Sequence, residues 1–291
     1  RYSYMYYYDG YYIPATLKNV TIADATGISA NAFYGCEMIE LLTLNEGITT
    51  VYDKAFYNCT ALKSMVLPSS VTEVGSYAFY GCSNMESITL SNLSKINDYT
   101  FYGCGSLDGV VLPETLTEIG NYSFSGCVGL TGITIPTAVT SIGRNAFSGC
   151  TGITELTLPN GLQRIGQEAF KNLQLQSIVV PNSVTSIGAG AFKGCPLESI
   201  TLPFVGGSRK ISSSTATSSS TYNGYAWQNG SVYAFGYIFG GTSRVGTSSA
   251  APSSTTDWTY QGASYYEQKY DAGTRYSYMY YYDGYYIPAT L

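Results

Sequence analysis

The chain contains no histidine, and only 11% of its 291 residues are charged. An ordinary soluble domain carries roughly 25%. Without histidine the chain has no Ser-His-Asp or Cys-His nucleophile, no His-ligated metal and no histidine pH switch. Cations are scarce too, with 14 Lys+Arg against 19 Asp+Glu and a net charge of −5. Binding nucleic acid requires clustered Lys and Arg to neutralise phosphates, so no nucleic-acid partner is expected. No apolar run reaches the length of about 18 residues that a membrane span needs. There is no C-x-x-C pair for zinc or redox work and no D-x-D-x-D-G loop for calcium. No cofactor and no enzymatic activity are therefore expected. The chain opens on Arg1 and shows no signal peptide, which reads as a mature or excised piece.

What the chain does have is repetition. Aligned on a phenylalanine and the residue three places later, eight units stand in register: Phe33/Cys36, Phe56/Cys59, Phe79/Cys82, Phe101/Cys104, Phe124/Cys127, Phe147/Cys150, Phe170/Leu173 and Phe192/Cys195. The spacings of the second member are 23, 23, 22, 23, 23, 23 and 22. One such unit is too small to bury its apolar face alone, so the period predicts stacked units, a solenoid.

Each unit reads physically. An L-x-x-I-x-L segment (Leu62, Met65, Leu67; Leu130, Ile133, Ile135; Leu197, Ile200, Leu202) is a short strand. Proline follows at Pro68, Pro113, Pro136, Pro159, Pro181 and Pro203, where a missing N–H ends the ladder. A V-T-x-I-G phrase then turns the chain, as at Val139, Ile142 and Gly143, and A-F-x-G-C returns an apolar pair and a cysteine to the interior. The glycine before the cysteine is Asn58 or Asn172 in two units. Both residue types tolerate positive φ, which predicts a left-handed turn position. The fold class is a β-rich solenoid whose strands stack in parallel about 4.8 Å apart.

The phrase LPxxVTSIGxxAFxGCxxL, over residues 14–205, resembles the BspA-like (Treponema-type) leucine-rich repeats of bacterial and protist surfaces. The resemblance implies a curved parallel-β solenoid, an extracellular or cell-surface location, and roles in adhesion or partner binding without catalysis. Departures are Leu173 at a cysteine position, Ser91 at a proline position, and shortened links before Leu175 and Leu197.

A second repetition is longer. RYSYMYYYDGYYIPATL, residues 1–17, recurs without a change at 275–291, an offset of 274. This reads as one module plus the start of the next, either in a covalent tandem array or in a polymer with overlapping ends. Residues 1–13 are then a Tyr-rich junction, 14–205 the solenoid, 206–274 an inter-module segment, and 275–291 the next module's start. Of the 69 residues in 206–274, 23 are Ser or Thr, a linker-like composition. The alternating Tyr233, Phe235, Tyr237 and Phe239 after Asn229-Gly230 nevertheless have strand period and predict a hairpin. So do Tyr2, Tyr4, Tyr6 and Tyr8, then Asp9-Gly10, then Tyr11 and Tyr12. These ribbons, with Tyr276, Tyr278, Tyr280 and Tyr282 of the second copy, are expected at module junctions, where tyrosine supplies contact area at low rotamer cost.

Three further groups of residues stand out. The cysteine column predicts buried, reduced thiols, because identical side-chain directions on neighbouring rungs disfavour disulfides. A Thr/Val ladder (Thr43, Val66, Thr89, Val111, Thr134, Thr157, Val179, Thr201) suits a solvated parallel sheet and equally a binding surface on the concave face. Glycosylation sequons begin at Asn19, Asn58, Asn92, Asn121 and Asn229. The expected function is a structural filament or surface stalk whose partner is itself. The alternative is an adhesin holding a host protein or glycan on the strand face.

Overall fold

The computed structural model describes residues 16–203 continuously, together with three short strand pairs outside that stretch. Residues 16–203 wind into a parallel-sheet β-solenoid of about eight turns. The strand segments of the first five units, Asn19–Ile22, Leu41–Leu44, Ser64–Val66, Ser87–Thr89 and Gly109–Val111, form one parallel sheet. Ser177–Val179 pairs in the same sense with Ser199–Thr201. Pairing is in register, as in Ser64↔Ser87, Met65↔Ile88 and Val66↔Thr89. Each central side chain points inward while its two neighbours face solvent, a burial pattern that follows from the period-2 strand.

Two-residue strands in the V-T-x-I-G phrase build a second side of each turn. Gly27–Ile28, Thr50–Val51 and Glu73–Val74 form a three-stranded sheet. Lys95–Ile96, Glu118–Ile119, Ser141–Ile142, Arg164–Ile165 and Ser186–Ile187 form a five-stranded one. The break between the two has a local cause. Gly75 and Gly120 each donate a backbone N–H to the rung before, to Val51 O at 2.7 Å and Ile96 O at 2.8 Å. In the intervening unit Asn97 stands at the glycine position, and its side-chain Nδ2 takes Val74 O at 2.8 Å instead. That carbonyl is spent on a side chain, and the ladder restarts one rung later.

The prolines act as expected and also begin turns. The carbonyls of Pro68, Pro113, Pro136, Pro159 and Pro181 accept the amides of Val71, Leu116, Val139, Leu162 and Val184 at 3.0–3.1 Å. The glycine that follows the short strand has a different role from a conformational one. A Cβ on Gly166 would lie 2.4 Å from the carbonyl carbon of Gly143 in the preceding rung, so its absence permits the close rung-to-rung approach.

One expectation needs correction. The segments 130–135 and 153–158 carry the strand motif but form no ladder. Gly132 does not account for the first, since Gly109 holds the same position in a paired strand. Nothing in the sequence of 153–158 explains the second.

The third side is the A-F-x-G-C phrase, and it is a column of turns. Residues Gly35, Asn58, Gly81, Gly103, Gly126, Gly149, Asn172 and Gly194 all have positive φ, the left-handed position read from the sequence. A second left-handed column lies four residues earlier, at Asn31, Lys54, Tyr77, Tyr99, Tyr122, Asn145, Glu168 and Gly190. For bulky residues this conformation costs about 1–2 kcal/mol each. It persists because it aims their N–H groups along the solenoid: Tyr77 to Asp98 O (3.0 Å), Tyr99 to Asn121 O (2.8 Å), Tyr122 to Arg144 O (2.8 Å). The phenylalanine amides do the same, as in Phe124 to Ala146 O at 2.8 Å.

Inside, every apolar position becomes a column. The Phe rings from Phe33 to Phe192 stack with centroids 5.2–6.0 Å apart, and all but Phe33 are fully buried. Beyond the solenoid, Met5–Tyr8 pairs antiparallel with Tyr11–Pro14, with Tyr8 opposite Tyr11 across the Asp9-Gly10 dipeptide, as the sequence predicts. Thr221–Tyr222 pairs with Tyr225–Ala226, and Trp258–Tyr260 with Ala263–Tyr265. The hairpin expected at Asn229-Gly230 and the copy at 275–291, with Tyr276, Tyr278, Tyr280 and Tyr282, lie outside the described residues.

Candidate functional site

The strand face is the first candidate surface. Thr43, Val66, Thr89, Val111, Thr134, Thr157, Val179 and Thr201 are all exposed on it. Three of them are large apolar side chains in water: Val66 is 69% exposed, Val111 71% and Val179 64%, and Leu41 joins them at 48%. The neighbouring polar column carries one ion pair, Lys18 Nζ to Glu40 Oε1 at 2.6 Å, which holds the Glu40 carboxyl below its usual range. The face is therefore a ribbon of β-branched side chains edged by sparse charge.

The cysteines line the turn side from within. Six are buried and Cys195 is half-buried, and all seven are reduced. Six of the seven thiols have a partner the sequence did not reveal. Cys59, Cys82, Cys104, Cys127 and Cys150 donate S–H to the carbonyls of Phe33, Phe56, Phe79, Phe101 and Phe124 in the preceding rung, at 3.0–3.2 Å. Cys195 reaches Phe170 O at 3.0 Å. Burial pushes these thiols up, Cys150 and Cys195 to about 12, while the hydrogen bonding between rungs works against the rise. They are structural links, with no base near them to make a nucleophile.

A feature missed in the sequence lies on the outside of the same turns. Tyr34, Tyr57, Tyr80 and Tyr102 stack face to face with centroids 4.5–4.8 Å apart. Tyr77, Tyr99 and Tyr122 form a parallel stack at 4.6–4.7 Å. The stacks lean on each other through tilted contacts, such as Tyr77–Tyr80 at 5.9 Å. All seven rings are half-buried, and Lys54 and Arg144 lie over Tyr77 and Tyr122 at the two ends. Partial burial and the adjoining phenols push the Tyr80 and Tyr99 hydroxyls up. The signal was present as tyrosines at the spacing of the phenylalanine column, hidden by the far denser tyrosine of the junction segments.

Of the sequon asparagines, Asn19 is exposed on the first strand and Asn229 lies outside the described residues. Asn58 holds the left-handed turn position with φ 55°. Asn92 donates Nδ2 to Ser69 O at 2.5 Å, and Asn121 donates Nδ2 to Asp98 Oδ2 at 3.1 Å.

Short parallel strands, one per turn of 22–23 residues, with a leucine-type interior and a turn column opposite, define a leucine-rich repeat solenoid. The chain belongs to the BspA type leucine rich repeat region family, whose model matches residues 9–127 and 94–223. Among solved structures it is similar to a leucine-rich repeat protein from Eubacterium ventriosum, with 26% identity and a TM-score of 0.50 over 54% of this chain and 43% of that one. It is similar also to a leucine rich cell surface protein from Faecalibacterium prausnitzii (26% identity, TM-score 0.46, 64% of this chain and 59% of that one). A third is the T. pallidum leucine rich repeat protein (29% identity, TM-score 0.41, 63% and 74%). The chain thus spans 59% and 43% of the lengths of the first two solved relatives named in this comparison, those from F. prausnitzii and E. ventriosum. No curated protein sequence matches it significantly. Among the described residues no helix is long and apolar enough to cross a membrane.

Proposed function

We propose that this chain is a non-enzymatic structural module of an extracellular or cell-surface protein, in which 274-residue units follow one another as a filament or stalk. The observation that carries this reading is the unchanged recurrence of residues 1–17 at 275–291. Seventeen identities at one offset are the mark of a module that repeats. The tyrosine hairpin Met5–Tyr8/Tyr11–Pro14 falls within the recurring segment, where it would meet the neighbouring module. Each solenoid supplies stiffness through its rung-to-rung hydrogen bonds, and the hairpins supply an aromatic joint.

The test is a two-module polypeptide in which Tyr6, Tyr8, Tyr11 and Tyr12 of the internal junction are replaced by serine. Small-angle scattering of the parent should fit one fixed inter-module angle, and the variant should fit a broad ensemble. Identical scattering from the two would remove the junction role.

A second reading, adhesion, is favoured by the exposed apolar row Leu41, Val66, Val111 and Val179 on the strand face, because solenoid sheets offer extended binding surfaces. Its partner would be a host protein or glycan. Under it, Val66→Glu with Val111→Glu abolishes attachment to a matrix-coated surface and leaves assembly intact. Under the structural reading the same pair changes neither.

A further inference from the structure

We propose that a groove on the short-strand side, between Arg144 and Arg164, binds an oxyanion: a carboxylate, sulfate or phosphate group. The inference is independent of the filament reading and starts from a hydrogen-bond column that runs out partway along the solenoid.

The residue after the glycine position is Asp53, Ser76, Asp98, Asn121, Arg144, Gln167 and Ala189 in successive rungs. At three of the four rungs where it carries a short side-chain oxygen, that oxygen takes the amide of its counterpart in the next rung; Ser76 makes no such bond to Asp98. Asp53 Oδ1 accepts from Ser76 N at 2.7 Å, Asp98 Oδ1 from Asn121 N at 2.7 Å, and Asn121 Oδ1 from Arg144 N at 2.8 Å. An oxygen at this place is thus a built-in component of the rung geometry.

At Arg144 the column fails, since a guanidinium offers no acceptor. Among the described residues no acceptor takes the N–H of Gln167 or that of Ala189. Gln167 and Ala189 are half-buried, and two such amides in succession offer donors to an outside oxygen.

The surroundings have the matching charge. Both amides border a groove of about 300 Å³ lined also by Asn121, Arg144, Arg164 and the glycine backbone of Gly143, Gly166 and Gly188. No Asp or Glu lines it. Glu118, in the same strand column as Arg164, is engaged by Lys95 at 3.0 Å, and Glu168 by Lys171 at 3.0 Å and Asn145 at 3.1 Å. No carboxylate pairs with Arg144 or Arg164 among the described residues. Arg144 is steadied by Asn145 Oδ1 at 3.3 Å and by the Tyr122 ring. Two arginines and two successive amides around the backbone of Gly143, Gly166 and Gly188 are the components of an oxyanion cradle, and the ligand oxygen takes the place that Asp53 and Asp98 fill in their own rungs.

The experiment is an amide-resolved NMR titration of the 291-residue chain with inorganic sulfate, inorganic phosphate and acetate, against sodium chloride at equal ionic strength. The amides of Gln167 and Ala189 should shift saturably with at least one oxyanion and not with chloride. The ranking of the three distinguishes a tetrahedral from a planar carboxylate ligand. Arg164→Gln should weaken binding about tenfold, the loss of one charge-assisted contact. Arg144→Asp restores the upstream pattern, so it should abolish binding and raise Tm at the same time. Unsaturable shifts, shifts equal to those in chloride, undiminished binding by Arg164→Gln, or an Arg144→Asp variant that still binds would each overturn the proposal.

Discussion

Near pH 10 the solenoid should unfold in a single steep transition, and its steepness should count the strongly raised thiols. All seven thiols are raised by burial, and six of them, Cys59, Cys82, Cys104, Cys127, Cys150 and Cys195, most strongly. In the unfolded chain a thiol titrates near 8.5. A group whose folded-state value is raised leaves its full stability intact below the unfolded value. Above it, the unfolded chain sheds protons the native chain keeps, and stability falls as pH rises. The window opens at about pH 8.5 and extends to the folded values, about 12 for Cys150 and Cys195. Each thiol removes about 1.4 kcal/mol per pH unit inside that window, so six remove on the order of 8 kcal/mol per unit. A domain holds roughly 5–15 kcal/mol in total, which puts the midpoint one to two units above the opening of the window. Circular dichroism against pH should show this midpoint and a release of about six protons. Replacing Cys82, Cys104 and Cys127 by alanine should halve the slope, even though it lowers stability at neutral pH. A transition coupled to one proton, or none below pH 12, would mean that the thiols are not buried as described.

The second large effect is positional. Phe124→Ala should cost about 5 kcal/mol, the upper part of the range for emptying a buried aromatic site. Phe124 is fully buried and stacks on Phe101 at 5.2 Å and Phe147 at 5.4 Å. Phe33→Ala removes the same atoms but only one stack, on Phe56 at 5.2 Å, from a half-buried site. It should cost about half as much. In a one-dimensional array each rung meets only its neighbours, so a central loss opens two interfaces and a terminal loss opens one. Denaturant titration gives both values, and hydrogen exchange should show protection falling first in the rungs beside Phe124. Equal costs at the two sites would contradict the array picture.

Much of this fold was legible because the repeat turns each residue into a column. The Phe anchors, the prolines and the glycine-or-asparagine turn at Gly35 and Asn58 each carry a backbone or packing demand that only a few residue types meet, so the letter reveals the role. The second left-handed column was hidden because Lys54, Tyr77 and Glu168 are not residues that tolerate positive φ well. Their conformation is imposed by amides donated to the next rung, a cause 21 or 22 residues away. The sheet break at Asn97 was hidden for a similar reason, since it depends on a side chain outcompeting an amide for Val74 O. The tyrosine stacks and the arginine groove are properties of neighbouring rungs taken together. Aligning the units in columns exposes the first; the second emerges only when the Asp53–Asp98–Asn121 hydrogen bonds are followed to the rung where they stop.

Solenoid modules joined in a regular line through the tyrosine segment are the core of the proposed function. Electron microscopy of polypeptides carrying one, two and four 274-residue modules tests it most directly. Eight rungs at about 4.8 Å predict a stiff segment of roughly 40 Å per module. The particles should be linear, their length growing by a constant increment per module, with a narrow distribution of the angle between neighbours. Particles whose modules are oriented at random, with no constant increment, would contradict the proposed function.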